Sequence, residues 1–367
     1  MNRLLVSDIT SCIERFAPLA LQEEYDNSGL QVGNLLSNVE SVMLTVDITE
    51  EVIDEAIVKG INMVIAHHPL IFSGLKRLTG KTEVERIVEK AIKHNVCIYA
   101  SHTNLDIASN GVSFRMGEKL GLKKLKVLEP LEDRLQKIVV FVPTAHLDAV
   151  RQAMFDAGAG NVGNYSSCSY SHHGEGTFKA EAGANPFVGN VDELHVEPEV
   201  RLEVVCSSFT SEKVVRAMVT AHPYEEVAYD IIPLVNKNPY LGLGAVGEFA
   251  EPIAVEDFLL HVKKTFGAMG VRYTAPASTT ISCVAMCGGS GSSLIGKAIA
   301  SGAQAFITGD IKYHNFFDAK GKLLLMDIGH FESEYFSLEI ISDLLKKNFP
   351  NFAVYIAETK SNPINYL

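Results

Sequence analysis

Four clusters of side chains that bind metals or transfer protons follow four short apolar runs of the chain. They are His67 with His68, His102 with Asp106, Asp310 with His314, and His330 with Glu334. Mixed imidazole and carboxylate ligation suits zinc, manganese or iron better than calcium or magnesium. Two such cations about 3.5–4 Å apart lower the pKa of a water and stabilise an oxyanion. The residue types therefore indicate hydrolytic chemistry at a two-metal site.

The spacing within two of the clusters is compatible with metal binding. Pro69 disfavours helical angles at His68, so we expect an extended segment there. Neighbouring residues of an extended segment point to opposite sides. His67 and His68 therefore suit two different metal ions, or one of them is a ligand and the other is structural. His330 and Glu334 share one face if the helix predicted at 332–347 begins slightly earlier.

The roles of the remaining residues are less constrained by the pattern. Asp106 and Glu334 are the carboxylates expected to bridge two cations, with an imidazole on each cation. A lone histidine after a strand is more often a hydrogen-bonded structural residue than a ligand, so the metal prediction depends on the clusters together. His102, Asp310 and His314 are candidate catalytic residues. They orient ligands, contact substrate or move protons, and His102 alternatively holds Asp106 in place.

The elements that must position these clusters alternate between strand and helix. Apolar runs predict strands and 3.6-residue periods predict helices. The strands are 41–47, 62–66, 96–100, 281–287, 305–309, 323–329 and 352–357, and the helices are 49–60, 83–95, 113–122 and 332–347. Such an order favours a parallel sheet with both faces covered. Ligand sites form beyond the carboxyl ends of parallel strands, so we expect all four clusters to meet at one edge of a sheet.

A stretch of different character separates the two α/β parts. Its predicted strands are 137–143, 201–208 and 227–234, and its predicted helices are 145–158 and 211–223. Two strand–helix–strand repeats indicate a ferredoxin-like α+β module. Residues 161–190 are rich in Gly, Ser and Asn and are predicted to form a long loop. The predicted domains are 1–133 and 236–367, the two parts of a metal-binding α/β domain, and 134–235, the inserted domain.

Composition and charge disfavour several classes of protein. The 367 residues are 47% hydrophobic, which allows a sizeable core in two or three domains. A formal net charge of −12 repels phosphate backbones and disfavours general nucleic-acid binding. The amino-terminal pattern does not predict a signal peptide, and no apolar run reaches about 18–20 residues, so no membrane span is expected. None of the six cysteines forms a Cys-x-x-Cys pair, which favours a reduced, cytoplasmic protein.

Three weaker patterns have alternative explanations. The segment 288–293 lies between a strand and a helix, where it offers backbone amides to an anion or forms a tight turn. Cys168, His172 and His173 could bind a metal, although a polar loop explains them better. The segment 26–29, Asp-Asn-Ser-Gly, is rich in turn formers whose side chains stabilise a loop.

Six motifs together resemble the Nif-three-like family, whose bacterial members are often labelled GTP cyclohydrolase I type 2 homologues. The motifs are YDNSGLQVG (25–33), TVDITEEVIDEAI (45–57), IAHHPLIF (65–72), SHTNLD (101–106), FITGDIKYH (306–314) and DIGHFESE (327–334). The resemblance implies two divalent transition-metal ions per subunit, zinc above all. It also implies a ring-shaped homohexamer whose metal sites face an internal cavity. The implied ligands are His67, His68, Asp106, His330 and Glu334.

The middle of the chain resembles the inserted module of the longer family members. HPYEEVAYDI (222–231) carries this resemblance to PII/CutA-like domains, which commonly trimerise. The implied fold is a split Nif-three-like α/β domain with an inserted PII/CutA-like domain. The chain departs from the family at Tyr25, where Trp is common, and at Ser113-Phe114, where Asn-Asp is common.

Two functions remain open on this basis. The first is a metal-dependent hydrolase acting on a nucleotide or another phosphorylated metabolite; the family label suggests ring-opening of GTP, but the sequence identifies no purine pocket. The second is a regulatory or scaffold protein with structural or sensed metals. Its inserted module would bind a small ligand or a partner protein, as the signalling-type insertion and its Gly-rich segment suggest.

Overall fold

The computed structural model describes residues 3–132 and 134–367 as a mixed α/β protein with four β-sheets. The strands are β1 (Leu4–Leu5), β2 (Gly29–Val32), β3 (Asn38–Val39), β4 (Ser41–Thr45), β5 (Met63–Ala66), β6 (Cys97–Ala100), β7 (Lys123–Leu131), β8 (Leu135–Pro143), β9 (Tyr170–Lys179), β10 (Leu194–Ser207), β11 (Tyr229–Leu234), β12 (Asn238–Ala254), β13 (Arg272–Tyr273), β14 (Thr280–Ser290), β15 (Ala305–Gly309), β16 (Leu324–Asp327) and β17 (Ala353–Ile356). The helices are α1 (Val6–Phe16), α2 (Glu50–Val58), α3 (Glu83–Lys93), α4 (Thr103–Ile107), α5 (Val112–Lys119), α6 (Leu147–Asp156), α7 (Ser208–Ala221), α8 (Val255–Thr265), α9 (Ile295–Ala300), α10 (Asn315–Ala319), α11 (His330–Glu334) and α12 (Phe336–Asn348).

The chain folds as two compact units. The first takes the chain up to Pro130 and resumes at Pro239, and the second is Leu131–Asn238. The boundary predicted at residue 133 lies outside the described residues. Within the described part of the chain, no helix has both the length and the apolar composition to cross a membrane.

The amino-terminal strands of the first unit and the late strand β17 form a five-stranded sheet of order β17-β4-β5-β6-β2. Strands β4, β5 and β6 pair in parallel, and β2 adds antiparallel at the edge. Every residue of β5 and β6 is buried, as their apolar runs predict. Thr49 and Thr82 cap α2 and α3, since each side chain accepts a hydrogen bond from a first-turn amide. The carboxyl ends of β5 and β6 lead directly to His67 and Ser101.

The later strands of the first unit, together with β7 at one edge, form a separate six-stranded sheet of order β13-β16-β15-β14-β12-β7. Strands β14, β15 and β16 are parallel, whereas β12 pairs antiparallel with β14 and β13 pairs antiparallel with β16. The expectation that all clusters meet at one edge of one sheet is therefore wrong. Asp310 follows β15 and His330 follows β16, so the clusters leave the strand ends of two sheets. Apolar runs identify buried strands, but pairing depends on contacts between distant segments.

The second unit is a four-stranded antiparallel sheet of order β11-β8-β10-β9. Its element order, β-α-β-β-α-β, is that of ferredoxin-like modules. Alternate residues of β8 and β10 pack on α6 and α7, as Val140, Leu202 and Met154 illustrate.

The loop predicted at 161–190 is wrong in its middle, because β9 lies there. This strand pairs in continuous register with β10, from Tyr170 opposite Glu203 to Lys179 opposite Leu194. Most of its side chains are exposed, so the sequence lacks the apolar alternation of a half-buried strand. Backbone pairing with β10 at the sheet edge, which composition does not reveal, makes this segment a strand.

Candidate metal centre

Four imidazole rings lie together in the first unit. The ring centroids of His67 and His68 are 5.2 Å apart, and those of His68 and His330 are 5.1 Å apart. The ring of His102 lies 5.5 Å from that of His67 and 5.3 Å from that of His68. These residues follow β5, β6 and β16, so strand ends of both sheets supply the cluster.

Each of the four rings has its Nδ1 atom within hydrogen-bond distance of an oxygen. The pairs are His67 with the Ser101 carbonyl (2.8 Å), His68 with Asp47 Oδ1 (2.7 Å), His102 with Asp26 Oδ1 (2.8 Å) and His330 with Asp310 Oδ2 (2.7 Å). When Nδ1–H donates to these oxygens, Nε2 of a neutral ring carries a free lone pair. Metal-binding histidines are commonly oriented in this way by a carboxylate or carbonyl.

The carboxylates of Glu334 and Asp106 lie among these rings. Oε2 of Glu334 is 2.8 Å from Nε2 of His68 and 3.0 Å from Nε2 of His330, whereas its Oε1 is 3.7 Å from Nε2 of His67. Oδ1 of Asp106 is 3.8 Å from Nε2 of His67. Helix α11 begins at His330, so its two ligand-type residues share one face, as their spacing requires.

Two buried polar atoms of this cluster, Nε2 of His67 and Oδ1 of Asp106, have no hydrogen-bond partner within the described residues, and Oε2 of Glu334 has one only when His68 or His330 carries a proton on Nε2. Leaving such an atom unpaired costs about 1–3 kcal/mol. Separations of 3.7–3.8 Å are too long for hydrogen bonds, but they are near the ~3.4 Å between ligands of a tetrahedral ion with bonds of about 2.1 Å. The ligand atoms of His67, His68 and Glu334 lie within 4.8 Å of one another. This donor set fits a divalent transition metal.

The carboxylates around His68 and His330 favour protonation of both imidazoles in the metal-free protein. Burial opposes a charge on His68, but its hydrogen bonds with Asp47 and Glu334 raise the pKa to about 10. Burial likewise opposes a charge on His330, and its contacts with Glu334 and Asp310 raise the pKa to about 9. The cluster therefore attracts positive charge, and a metal ion must compete with protons for these nitrogens.

The two inner carboxylates have opposite pKa shifts. Burial raises the pKa of Asp106 above its usual range. Burial also acts to raise the pKa of Glu334, but the charge of His67 and hydrogen bonds to the surrounding imidazoles hold that pKa well below its usual value. Glu334 is thus the permanent negative charge of the cluster.

The structure brings together all five residues that the sequence predicts as metal ligands: His67, His68, Asp106, His330 and Glu334. Asp310 joins them through His330, and His102 joins them through its ring contacts. His314 is exposed; its ring packs on Tyr313 and Phe317, and no described contact links it to the cluster.

Sequence reasoning missed two carboxylates that hold histidines of the cluster. The sequence pattern places Asp26 in a loop, yet its buried side chain accepts hydrogen bonds from His102 Nδ1 and from the Thr103 amide (3.1 Å). No local signal distinguishes it from a turn residue. Asp47 follows β4, so the strand-end pattern that identified the other clusters could also have found it.

The Gly-rich segment 288–293 packs against the cluster, and two of its amides are already paired within the fold. The amide of Gly289 donates to Ser333 Oγ (2.8 Å) and that of Gly291 donates to Thr308 Oγ1 (2.9 Å), so both are already paired. Gly289 has φ +59°, and a Cβ atom there would lie 2.1 Å from Oε1 of Glu334. Only glycine leaves room for this carboxylate.

Comparisons with known proteins agree over nearly the whole chain. The family model Duf34/NIF3 (NGG1p interacting factor 3) matches residues 4–363. A "GTP cyclohydrolase 1 type 2 homolog" of Bacillus subtilis is 40% identical over 98% of both chains, and one of Halalkalibacterium halodurans is 43% identical over 88% of this chain and 87% of its own. The crystal structure of a Bacillus cereus protein related to NIF3 covers 100% of both chains at 38% identity, with a TM-score of 0.87. The resemblance found in the motifs is confirmed, and the chain belongs to the Duf34/NIF3 family.

Proposed function

We propose that the protein is a metal-dependent hydrolase with two divalent cations in each subunit. The observation that carries this proposal is the arrangement around Glu334, whose two oxygens face different partners. Oε1 faces His67, which also faces Asp106, while Oε2 faces His68 and His330. The donors on the two sides of this carboxylate would hold the two cations, with zinc preferred and manganese or iron as alternatives.

Two cations at such a site supply a water of lowered pKa and offset negative charge that develops on a substrate oxygen. The carboxylates of Asp106 and Glu334 would offset part of the charge of the cations and so help to hold them in place. His102 moves a proton at Nε2, since Asp26 holds its Nδ1 and its ring borders those of His67 and His68. Asp310 orients His330. His314, which lacks a described contact with the cluster, has no role in this assignment.

The proposed substrate is a nucleotide or another phosphorylated metabolite. Phosphoryl and carbonyl oxygens are the groups that a two-cation site polarises. The names of the relatives, which refer to GTP cyclohydrolase, make GTP the first nucleotide to test. We further propose that the subunits form a homohexamer and that the second unit is a PII/CutA-like module, for which its β-α-β-β-α-β element order is the support.

The decisive experiment compares metal-free protein with protein reloaded with zinc or manganese. Each sample is incubated with GTP, the other nucleoside triphosphates and a panel of phosphomonoesters, and products are identified by mass spectrometry. We expect turnover only in loaded wild-type protein and in the surface control Glu89→Gln. Glu334→Gln should lose both metal and turnover, and His102→Gln should keep the metal but lose turnover. A loaded wild-type protein that leaves the whole panel unchanged would overturn the proposal.

The regulatory alternative is favoured by one observation, a cavity of small-molecule size within the second unit.

Light scattering tests the proposed homohexamer, for which a mass of six subunits is expected. A monomer or dimer would contradict it.

A further inference from the structure

The second unit contains a cavity of about 600 Å³, within the range of about 300–1,000 Å³ typical of small-molecule sites. Its floor is the sheet face opposite α6 and α7, where Phe141, Arg201 and His172 are aligned across β8, β10 and β9, and Gly174 lies two residues further along β9. Segments that include Phe187 and Tyr224 complete the wall. All of the lining residues belong to this unit, and none belongs to the metal cluster.

Aromatic rings form much of the wall. The ring centroid of Tyr224 lies 6.2 Å from that of Phe178 and 6.2 Å from that of Phe187. The Tyr224 hydroxyl donates to Oε1 of Glu199 at 2.8 Å, which fixes the ring. Several ring faces around one space can bind a cation through their negative electron density.

The charge of the lining is predominantly negative. Four carboxylates line the cavity: Glu175, Glu199, Glu225 and Glu226. The lining also includes the cation Arg201 and the titratable His172. Arg201 stacks on Phe141, and its Nε donates to Glu203 at 2.8 Å, a carboxylate that Lys137 also contacts, so its charge is offset in part. The lining carboxylates would repel an anionic ligand and attract a cationic one.

We propose that this cavity binds a small organic cation, an ammonium group carried on an aromatic body. The rings of Phe178, Phe187 and Tyr224 would hold the body by contact and stacking. The carboxylates would attract the ammonium group, and stacking of an ammonium on a ring adds to the attraction. This binding site is independent of the metal cluster and of the hydrolase activity proposed above.

Gly174 offers a way to close the cavity without disturbing the fold. A Cβ atom at Gly174 would meet nothing within 4 Å, and its backbone does not adopt the left-handed conformation. A side chain added there would therefore extend into open space above the sheet. Gly174→Phe is the closing variant, and Arg216→Phe is its matched control because Arg216 lies on α7, with a side chain that is 77% exposed.

The test uses three indoles that differ in charge: tryptamine, the neutral indole-3-ethanol and the anionic indole-3-acetate. The chain has no Trp, so indole fluorescence anisotropy reports bound ligand directly on the full-length protein. We expect tryptamine to bind wild type at least about tenfold more tightly than the other two. Binding should be lost in Gly174→Phe and retained in Arg216→Phe. The double variant Glu175→Gln/Glu226→Gln should weaken it at least about fivefold.

Removal of the metal by a chelator should leave tryptamine binding unchanged, which separates this inference from the hydrolase proposal. Equal binding of the three indoles, or binding that survives in Gly174→Phe, would overturn the inference. It would also be overturned if wild type bound no tryptamine and Gly174→Phe reduced the number of subunits by light scattering. That outcome would assign the cavity to a second copy of the chain.

Discussion

Nε2 of His68 and Nε2 of His330 lie 3.2 Å apart, although 262 residues separate them in the sequence. Two lone pairs at this distance repel each other unless a proton or a metal ion lies between or beside them. The Nδ1 atom of each ring is held by a carboxylate, Asp47 or Asp310. This pair links the two sheets of the first unit at one ligand cluster.

Removing a ligand should remove metal and leave the fold intact. We expect His68→Ala or Glu334→Ala to lower the metal bound per subunit, because each deletes an atom from the converging set. Elemental analysis measures the metal, and circular dichroism checks the fold. Glu89→Ala, at an exposed residue that pairs only with Lys93 in the described contacts, is the control and should bind metal normally. Unchanged metal content in either ligand variant would remove that residue from the metal site.

Replacing Asp47 or Asp310, the carboxylates that hold His68 and His330 at Nδ1, should lower metal affinity less than removing a ligand does. Asp47→Asn and Asp310→Asn keep the shape of the side chain but weaken the hold on His68 and His330. We expect metal affinity to fall about 10–100-fold, as is typical when the partner of a ligating histidine is lost. Competition with a chromophoric chelator measures the affinity. Asp54→Asn, on the exposed face of α2, is the control, and an equal loss in that variant would contradict the assignment.

Gly289→Ala should displace Glu334. The added Cβ would lie 2.1 Å from Oε1 of that carboxylate, and φ at Gly289 is +59°, so we expect a loss of about 1–3 kcal/mol in stability together with loss of metal. Gly296→Ala is the matched control, since nothing lies within 4 Å of its added Cβ in α9. That helical change should stabilise the protein by about 0.5–1 kcal/mol. Thermal unfolding and metal content measure both variants, and normal metal binding by Gly289→Ala would contradict the steric argument.

Asp26→Asn should destabilise the fold and change its acid sensitivity. Burial acts to raise the pKa of Asp26, but hydrogen bonds from His102 and Thr103 lower it well below 3.8. Its stabilising contribution is therefore present above pH 3.8 and is lost as the pH falls below that value. The variant leaves donors facing an amide group, so we expect a loss of about 1–3 kcal/mol near neutral pH. Unfolding curves recorded across pH should converge in acid, and parallel curves would contradict this account.

Metal binding should release protons near neutral pH. The raised pKa values, about 10 for His68 and about 9 for His330, mean that both rings of the metal-free protein carry protons at pH 7. A metal requires neutral imidazoles, so affinity should rise with pH until these values are passed. Zinc titrations by calorimetry in buffers of different ionisation enthalpy count the protons. Binding at pH 7 without proton release would contradict the prediction.

The sequence alone determined the buried strands, their helices and the residues that follow them. Continuous apolar runs define β5, β6 and β15, and the residue types after the strands define the ligand chemistry. The four-residue spacing of His330 and Glu334 also suffices to place them on one face of a helix. These inferences succeed because they depend on local periodicity and on the chemistry of individual side chains.

Tertiary structure decided how these parts combine. Two separate sheets supply the cluster, β9 is a strand only because β10 pairs with it, and Asp26 reaches His102 across 76 positions of sequence. The same contacts leave His314 on the surface and require glycine at position 289. None of these facts is encoded in a short window, because strand pairing, close approach and burial arise between segments far apart in the chain.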